Sequence, residues 1–321
     1  MSDAKVISIK KNEKQQNPQL ARKLILGIDF NNIMYSSFYT PELINTKGIN
    51  VNAVKGFFFK LKNLREYFNP DYIVICNDLG REKTFRKEIY AGYKSTRKTT
   101  PSAIGDQFAY AMQIIQALGW GIINNERYEA DDSLGMVSRF AIDNNMNMII
   151  ASSDRDFYQL ITDKVNVFSM KYKEIIDRAW IYDKYHLLPE QLIELKGIVG
   201  DKSDNIPGAQ GIGDNTGLEL IQQYGSIEAL YKNMELIRPL LRNRLEMDKK
   251  IVMMSKLLGT IVTDYSLIGL NAAMIERKEP NPGELYEILR ELELYSLYNV
   301  MQYNLLGDKQ ENELADMVSN F

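Results

Sequence analysis

Three short apolar runs each lead into acid, and this repeat constrains the fold more than any other feature of the chain. Leu24-Ile25-Leu26-Gly27-Ile28 delivers Asp29, followed by Asn31 and Asn32, and Tyr72-Ile73-Val74-Ile75-Cys76 delivers Asp78. Met148-Ile149-Ile150-Ala151 leads through Ser152 and Ser153 to Asp154 and Asp156. Runs this short and this uniformly apolar suit strands buried on both faces. Between the first two, Val54, Phe57, Phe58, Leu61, Leu64 and Phe68 recur at helical spacing. Strand, helix, strand predicts a parallel sheet, and such sheets hold ligand groups at the carboxyl ends of their strands. Each acid taken singly is equally a turn or helix-cap residue. The i, i+2 pair Asp154 and Asp156 points to one side of an extended chain, so both can reach one cation.

Glu129-Ala130-Asp131-Asp132 opens the apolar, helix-like run Leu134, Met136, Val137, Phe140, Ala141. On a helix, Glu129 and Asp132 share a face and Asp131 points about 100° away. By itself the motif reads as acidic capping of a helix N-terminus. Three carboxylates in four residues also repel one another, and a bound cation would offset that repulsion. Further on, Gly200-Asp201-Lys202-Ser203-Asp204-Asn205 sets two aspartates three apart in a turn, where a pair of loop-capping side chains is the alternative.

Residues 81–98 change character. Arg81, Lys83, Arg86, Lys87, Lys94, Arg97 and Lys98 face only Glu82 and Glu88, with Phe85, Tyr90 and Tyr93 interleaved. Basic groups beside aromatic platforms suit a nucleic-acid backbone and its bases, although a solvated basic helix has the same composition. Residues 206–225, a run with glycines at 208, 211 and 213 and a following helix, read as a loop that exposes backbone N–H groups at a helix N-terminus and can hold a phosphate. Helices are predicted over 106–118, 188–199, 227–232, 237–258 and 282–303, a strand over 120–123, and sheet-edge strands over 165–169 and 173–177. Residues 1–22 read as a disordered basic tail and 307–321 as a polar tail ending in Leu314, Met317, Val318 and Phe321, near one face of a short helix. That face suits docking in a groove of a partner or packing on its own domain.

Composition closes off other chemistry. One cysteine, Cys76, excludes a disulfide frame, and one histidine, His186, excludes Ser-His-Asp, Cys-His and multi-histidine metal sites. No apolar run approaches the roughly 20 residues of a membrane span, so a soluble, cytoplasmic chain is expected. The acids that remain, Asp29, Asp78, Glu129, Asp131, Asp132, Asp154, Asp156, Asp201 and Asp204, come from separate elements. Gathered at one sheet edge they select hard ions, Mg²⁺ or Mn²⁺. Two such ions about 4 Å apart activate water and stabilise the leaving oxygen of a phosphodiester. With the basic, aromatic segment this predicts a nuclease.

The chain resembles the 5′-nuclease (flap endonuclease) family, which includes the nuclease domain of bacterial DNA polymerase I and free-standing bacteriophage 5′-nucleases of the ribonuclease H type. The resemblance rests on Ile28-Asp29; on Phe85-Arg86 through Tyr93-Lys94 to Arg97; on Glu129-Ala130-Asp131-Asp132; on Ser153-Asp154-Arg155-Asp156; and on Gly200 to Gly208 running into Gly211-Ile212-Gly213. It covers roughly residues 23–265. It implies an α/β, Rossmann-like (PIN-like) mostly parallel sheet with a helical arch, followed by a helix–three-turn–helix and a helical C-terminal part. It also implies that all nine acids hold two Mg²⁺ ions and that hydrolysis leaves a 5′-phosphate and a 3′-hydroxyl.

Lys94 and Arg86 resemble the arch residues that contact the scissile phosphate, with Tyr93, Lys83 and Arg97 beside them. Lys202, Gly208, Gly211, Gly213 and Thr216 match the region that grips duplex DNA, often with a bound K⁺. One departure is Asn215, preceded by Asp214, where many relatives carry lysine. The expected organisation is a nuclease domain over 23–199 with its arch at 80–103, a duplex-binding region over 200–265, a helical part over 266–306 and the tail. A free-standing phage enzyme, monomeric, is the expected match. Its expected partners are branched or nicked duplex DNA, RNA–DNA hybrid and, through the tail, a sliding clamp. A PIN-type ribonuclease and a catalytically silent branched-DNA binder are the rival readings.

Overall fold

Leu24–Asp29 (β1) is the central strand of a six-stranded sheet in the computed structural model, which describes residues 22–80, 83–97 and 101–298. In chain order there follow helices Phe30–Phe38 (α1) and Asn52–Phe68 (α2), strand Tyr72–Cys76 (β2), and helices Phe85–Ile89 (α3) and Ser102–Ala117 (α4). Strand Gly121–Ile123 (β3), helix Ala130–Asp143 (α5), strands Asn147–Ser152 (β4), Val165–Ser169 (β5) and Glu174–Ile176 (β6) and helix Arg178–Tyr185 (α6) complete the sheet unit. The rest is helical: Leu192–Val199 (α7), Asp214–Tyr224 (α8), Ile227–Lys232 (α9), Pro239–Met247 (α10), Lys249–Gly259 (α11), Ala272–Ile275 (α12) and Pro282–Glu291 (α13).

The strand order is β3-β2-β1-β4-β5-β6, parallel except for β6. The sequence therefore winds outward one way from β1 through β2 to β3 and then the other way through β4 and β5. A crevice opens where that direction reverses, between β1 and β4. Alternate strand residues feed opposite layers. Leu26, Ile28, Ile73, Ile75, Ile149 and Ala151 pack beneath α1, α2, α4 and α13. Ile25, Val74, Cys76, Met148 and Ile150 pack under α5. Each side chain so buried contributes about 1.5–3 kcal/mol. A third cluster, from Leu187 through Ile198 and Ile221 to Val252, joins α7 to α11.

Two predicted helices differ in extent. The stretch 237–258 is two helices, α10 and α11, that meet at Asp248, whose carboxylate accepts from Gln210 N at 2.7 Å and so faces the glycine loop. α13 ends at Glu291, and Glu293 takes φ 57°, a turn that no side-chain periodicity signals. The predicted tails, Arg81, Glu82, residues 98–100 and the chain after Tyr298 lie outside the described residues. Among the described residues no helix is long and apolar enough to cross a membrane.

Candidate metal centre and its basic wall

Asp29 is the last residue of β1 and the cap of α1. Its carboxylate accepts from Asn32 N at 3.1 Å and from the Ser152 hydroxyl, at the end of β4, at 2.7 Å. Asp78, just past β2, accepts from Ala130 N at 2.6 Å and from Asn31 Nδ2 at 3.3 Å, which ties the β2 end to the start of α5. Asp154 accepts from Asp156 N at 2.9 Å and caps the 3-10 turn Arg155–Leu160. These neutral donors orient the carboxylates without cancelling their charge. Burial, with Asp154 and Asp78 nearby, pushes Asp29 up to about 7 against the Ser152 and Asn32 hydrogen bonds. Burial also raises Asp131 well above the usual carboxylate range; Lys94 opposes this, while Asp154, Asp29 and Glu129 add to it.

A second group forms around the turn after α7. Asp201 and Ile206 exchange backbone hydrogen bonds at 2.8 Å each, closing a tight loop that carries Asp204. Gly208 makes the loop possible: its φ is +63°, and a Cβ there would stand 2.3 Å from the Val199 carbonyl carbon. One carboxylate oxygen each from Asp156, Asp201 and Asp204 lies within 4.8 Å of the others. An all-oxygen donor set of this size fits a hard divalent ion. Lys196, one turn before the loop, reaches Asp156 at 2.5 Å and Asp201 at 2.8 Å. Burial alone would raise Asp201, but the Lys196 ammonium and the Ser203 donors hold it at about 2. Burial wins at Asp156, which rises to about 6 despite Lys196.

The basic segment packs against both groups. Lys94, with φ +53°, donates its N–H to the Asp204 carbonyl at 2.8 Å, and its ammonium lies 2.7 Å from Glu129 and 3.8 Å from Asp204. Burial opposes its charge, yet Glu129, Asp131 and Asp204 together raise the Lys94 pKa. Tyr93 donates to Glu129 at 2.9 Å, and Arg97, about one-third exposed, pairs with Asp204.

Arg86 and Asp132 are buried behind Glu129, to which Arg86 donates at 3.2 Å, although the sequence groups them with the exposed basic and acidic residues. Arg86 is 2% exposed and grips fully buried Asp132 with two hydrogen bonds, at 2.6 and 2.7 Å. It also donates to the Leu258 and Thr260 carbonyls at 2.7 and 2.8 Å, and Asp132 accepts from Glu129 N and Val262 N. Lys83 is exposed and pairs with Glu126. In the glycine loop Gly208 is buried and donates to Ser255, while Gly211, Gly213 and Lys202 are exposed and Thr216 is half-buried. The sequence reading missed Lys196 and Ser152: Lys196 is an ordinary helical lysine by pattern, and Ser152 shows itself only as a small polar residue ending an apolar strand.

The family model described as 5′-3′ exonuclease, N-terminal resolvase-like domain, matches residues 23–186, and that described as 5′-3′ exonuclease, C-terminal SAM fold, matches residues 187–282. DNA polymerase I of Caldicellulosiruptor bescii is 35% identical across 92% of this chain and 36% of its own length. That of Bacillus subtilis is 32% identical across 92% and 34%. The chain thus spans about a third of the length of the curated relatives it matches. Among solved structures, the bacteriophage T5 D15 flap endonuclease in a complex with DNA and metal ions shares the fold, with a TM-score of 0.62 at 21% identity over 84% of this chain and 100% of that one. The catalytic core of Rad2 with DNA substrate gives 0.57 at 15% over 90% and 94%.

Proposed function

The chain belongs to the 5′-3′ exonuclease family, and from that premise we propose that it is a structure-specific 5′-nuclease that uses divalent metal ions, Mg²⁺ or in its place Mn²⁺, to hydrolyse phosphodiesters in DNA replication. The observation that carries this is the convergence of Asp29, Asp131 and Asp154 at the strand carboxyl edge, with Asp29 driven to about 7 by burial and its neighbours. Uncompensated carboxylates are costly, and they would repel a DNA phosphate unless cations lie between them. When bound, a pair of divalent ions supplies an activated water and neutralises the leaving oxygen.

The chain's own residues do the rest. Asp29, Asp78, Asp131 and Asp154, with Glu129 beside them, form one ligand group; Asp156, Asp201 and Asp204 form the other. Ser152, Asn31 and Asn32 hold the first group in position. Lys94 and Arg97 present positive charge between the two groups, where a scissile phosphate would lie; Tyr93 fixes Glu129. Arg86 and Asp132 act as a buried strut beneath them, so Lys94 and Arg97, not Arg86, are the phosphate contacts. Exposed Gly211, Gly213 and Lys202, with half-buried Thr216, offer a duplex backbone the start of α8, with K⁺ as an accompanying ion. The substrates are branched or nicked duplexes with a 5′ single strand, and hybrid duplexes with an RNA 5′ end; the enzyme acts as a monomer. T5 D15 with DNA and metal ions and Rad2 with DNA substrate support the substrate class.

Digestion of end-labelled flap, nicked and RNA–DNA duplexes with Mg²⁺ tests the reading. Products with 5′-phosphate and 3′-hydroxyl ends, cut near the single-strand junction, are expected. Binding without cutting would identify a silent branched-DNA binder, and cutting only of single-stranded RNA a PIN-type ribonuclease.

A further inference from the structure

The two acid groups are compensated differently. Beside the group at Asp29 and Asp131, the Lys94 ammonium is bound to Glu129 at 2.7 Å. The Asp156–Asp201–Asp204 group already contains an ammonium: Lys196 Nζ lies 2.5 Å from Asp156 and 2.8 Å from Asp201, while Arg97 pairs with Asp204. The route of the Lys196 side chain is built in. It lies along Gly259, where a Cβ would meet its Cδ at 2.9 Å and push the side chain aside. On its other side is a cavity of about 530 Å³, lined by Lys196 itself, Arg155, Tyr158, Lys184, Tyr185 and Leu218 among others, with ample room for a displaced lysine.

We propose that Lys196 is a resident cation that holds the Asp156–Asp201 pair together in the metal-free protein, and that it leaves for the adjacent cavity when a divalent ion is loaded there. An ammonium at hydrogen-bond distance from two carboxylates occupies the space and the charge that a divalent ion needs, so the two exclude each other. The cavity wall carries Arg155 and Lys184 as well as Asp156, Asp201 and Asp214, so an ammonium displaced into it keeps acids within reach, Asp214 among them. This inference rests on the two-metal reading above.

Pulse labelling of lysines by reductive methylation, read by mass spectrometry on the full chain during a Ca²⁺ titration followed by calorimetry, tests it directly. Lys196 is expected to be protected in EDTA and to label at least about tenfold faster once the ions are bound. Ion binding without any change in Lys196 labelling would overturn the inference and leave the two-metal reading standing. No binding heat at any Ca²⁺ concentration would overturn both. Lys196→Gln gives a second readout: its weakest ion site should tighten by about tenfold or more, and its Tm in EDTA should fall as the paired acids lose their cation. Unchanged or weaker ion binding in that variant would count against displacement.

Discussion

Arg86 and Lys94 lie on the same basic segment, yet their removal is expected to register in different measurements. Arg86→Met strands the Asp132 carboxylate at 0% exposure, and a broken buried pair costs about 3–5 kcal/mol, to be read as a lowered urea midpoint. Lys94→Ala should instead slow cleavage at saturating flap by about 10²–10³-fold, with a smaller loss of stability, because Glu129 keeps Tyr93 and Arg86 as partners. If Lys94→Ala shifts only salt-dependent affinity, it is a backbone contact. Titration gives a third residue-level prediction. Folded Asp29 titrates near 7 against an ordinary 3.8, so between these values the folded chain binds more protons than the unfolded one. Stability in EDTA should then fall as pH rises from about 4 to about 7, and saturating Mg²⁺ should remove that fall, since the ion binds the ionised form. Asp201, held at about 2, works in the opposite sense: its contribution is present above 3.8 and is lost as pH falls towards 2. Urea midpoints at several pH values, with and without Mg²⁺, separate the two.

Strands β1, β2 and β4 were legible because length and unbroken apolar character are local signals, and the acids at their ends followed from the rule for parallel sheets. The break at Asp248 and the positions of Lys196 and Arg86 were not legible. Each depends on a partner far along the chain: Gln210 for Asp248, Asp156 for Lys196, Asp132 for Arg86. Composition identifies Arg86 as basic but does not tell that its guanidinium is folded inward onto Leu258 and Thr260. The loop between α7 and α8 is the element that carries most of the second acid group, and Gly208 is its tightest point. Gly208→Ala would force a side chain into φ +63° and against Val199, costing more than about 2 kcal/mol. The variant should melt lower and bind divalent ions more weakly by calorimetry; near-normal binding would show that the loop adapts.

At the scale of the whole molecule, a doubly wound sheet supplies one acid group at its switch point and the helical region supplies two of the three acids of the other, so neither part completes the centre alone. Arg86 ties α5, which carries Asp131, to the end of α11, and Lys94 ties Glu129 to Asp204. The chain beyond Tyr298, with the apolar face of Leu314, Met317, Val318 and Phe321, belongs at this scale too. Deleting residues 312–321 should leave the Tm and the cleavage of naked flap unchanged and abolish stimulation by a cognate sliding clamp, whereas a lowered Tm would assign the segment to the core. Whether these acids act together as a divalent-metal hydrolytic centre is decided by single-turnover cleavage of a 5′-flap duplex by wild type and Asp201→Asn, with Mg²⁺ and with EDTA. Rapid cleavage is expected only for wild type with Mg²⁺, with flap binding retained by the variant; wild-type rates persisting in EDTA, or in Asp201→Asn, would rule out a divalent-metal centre built on these acids.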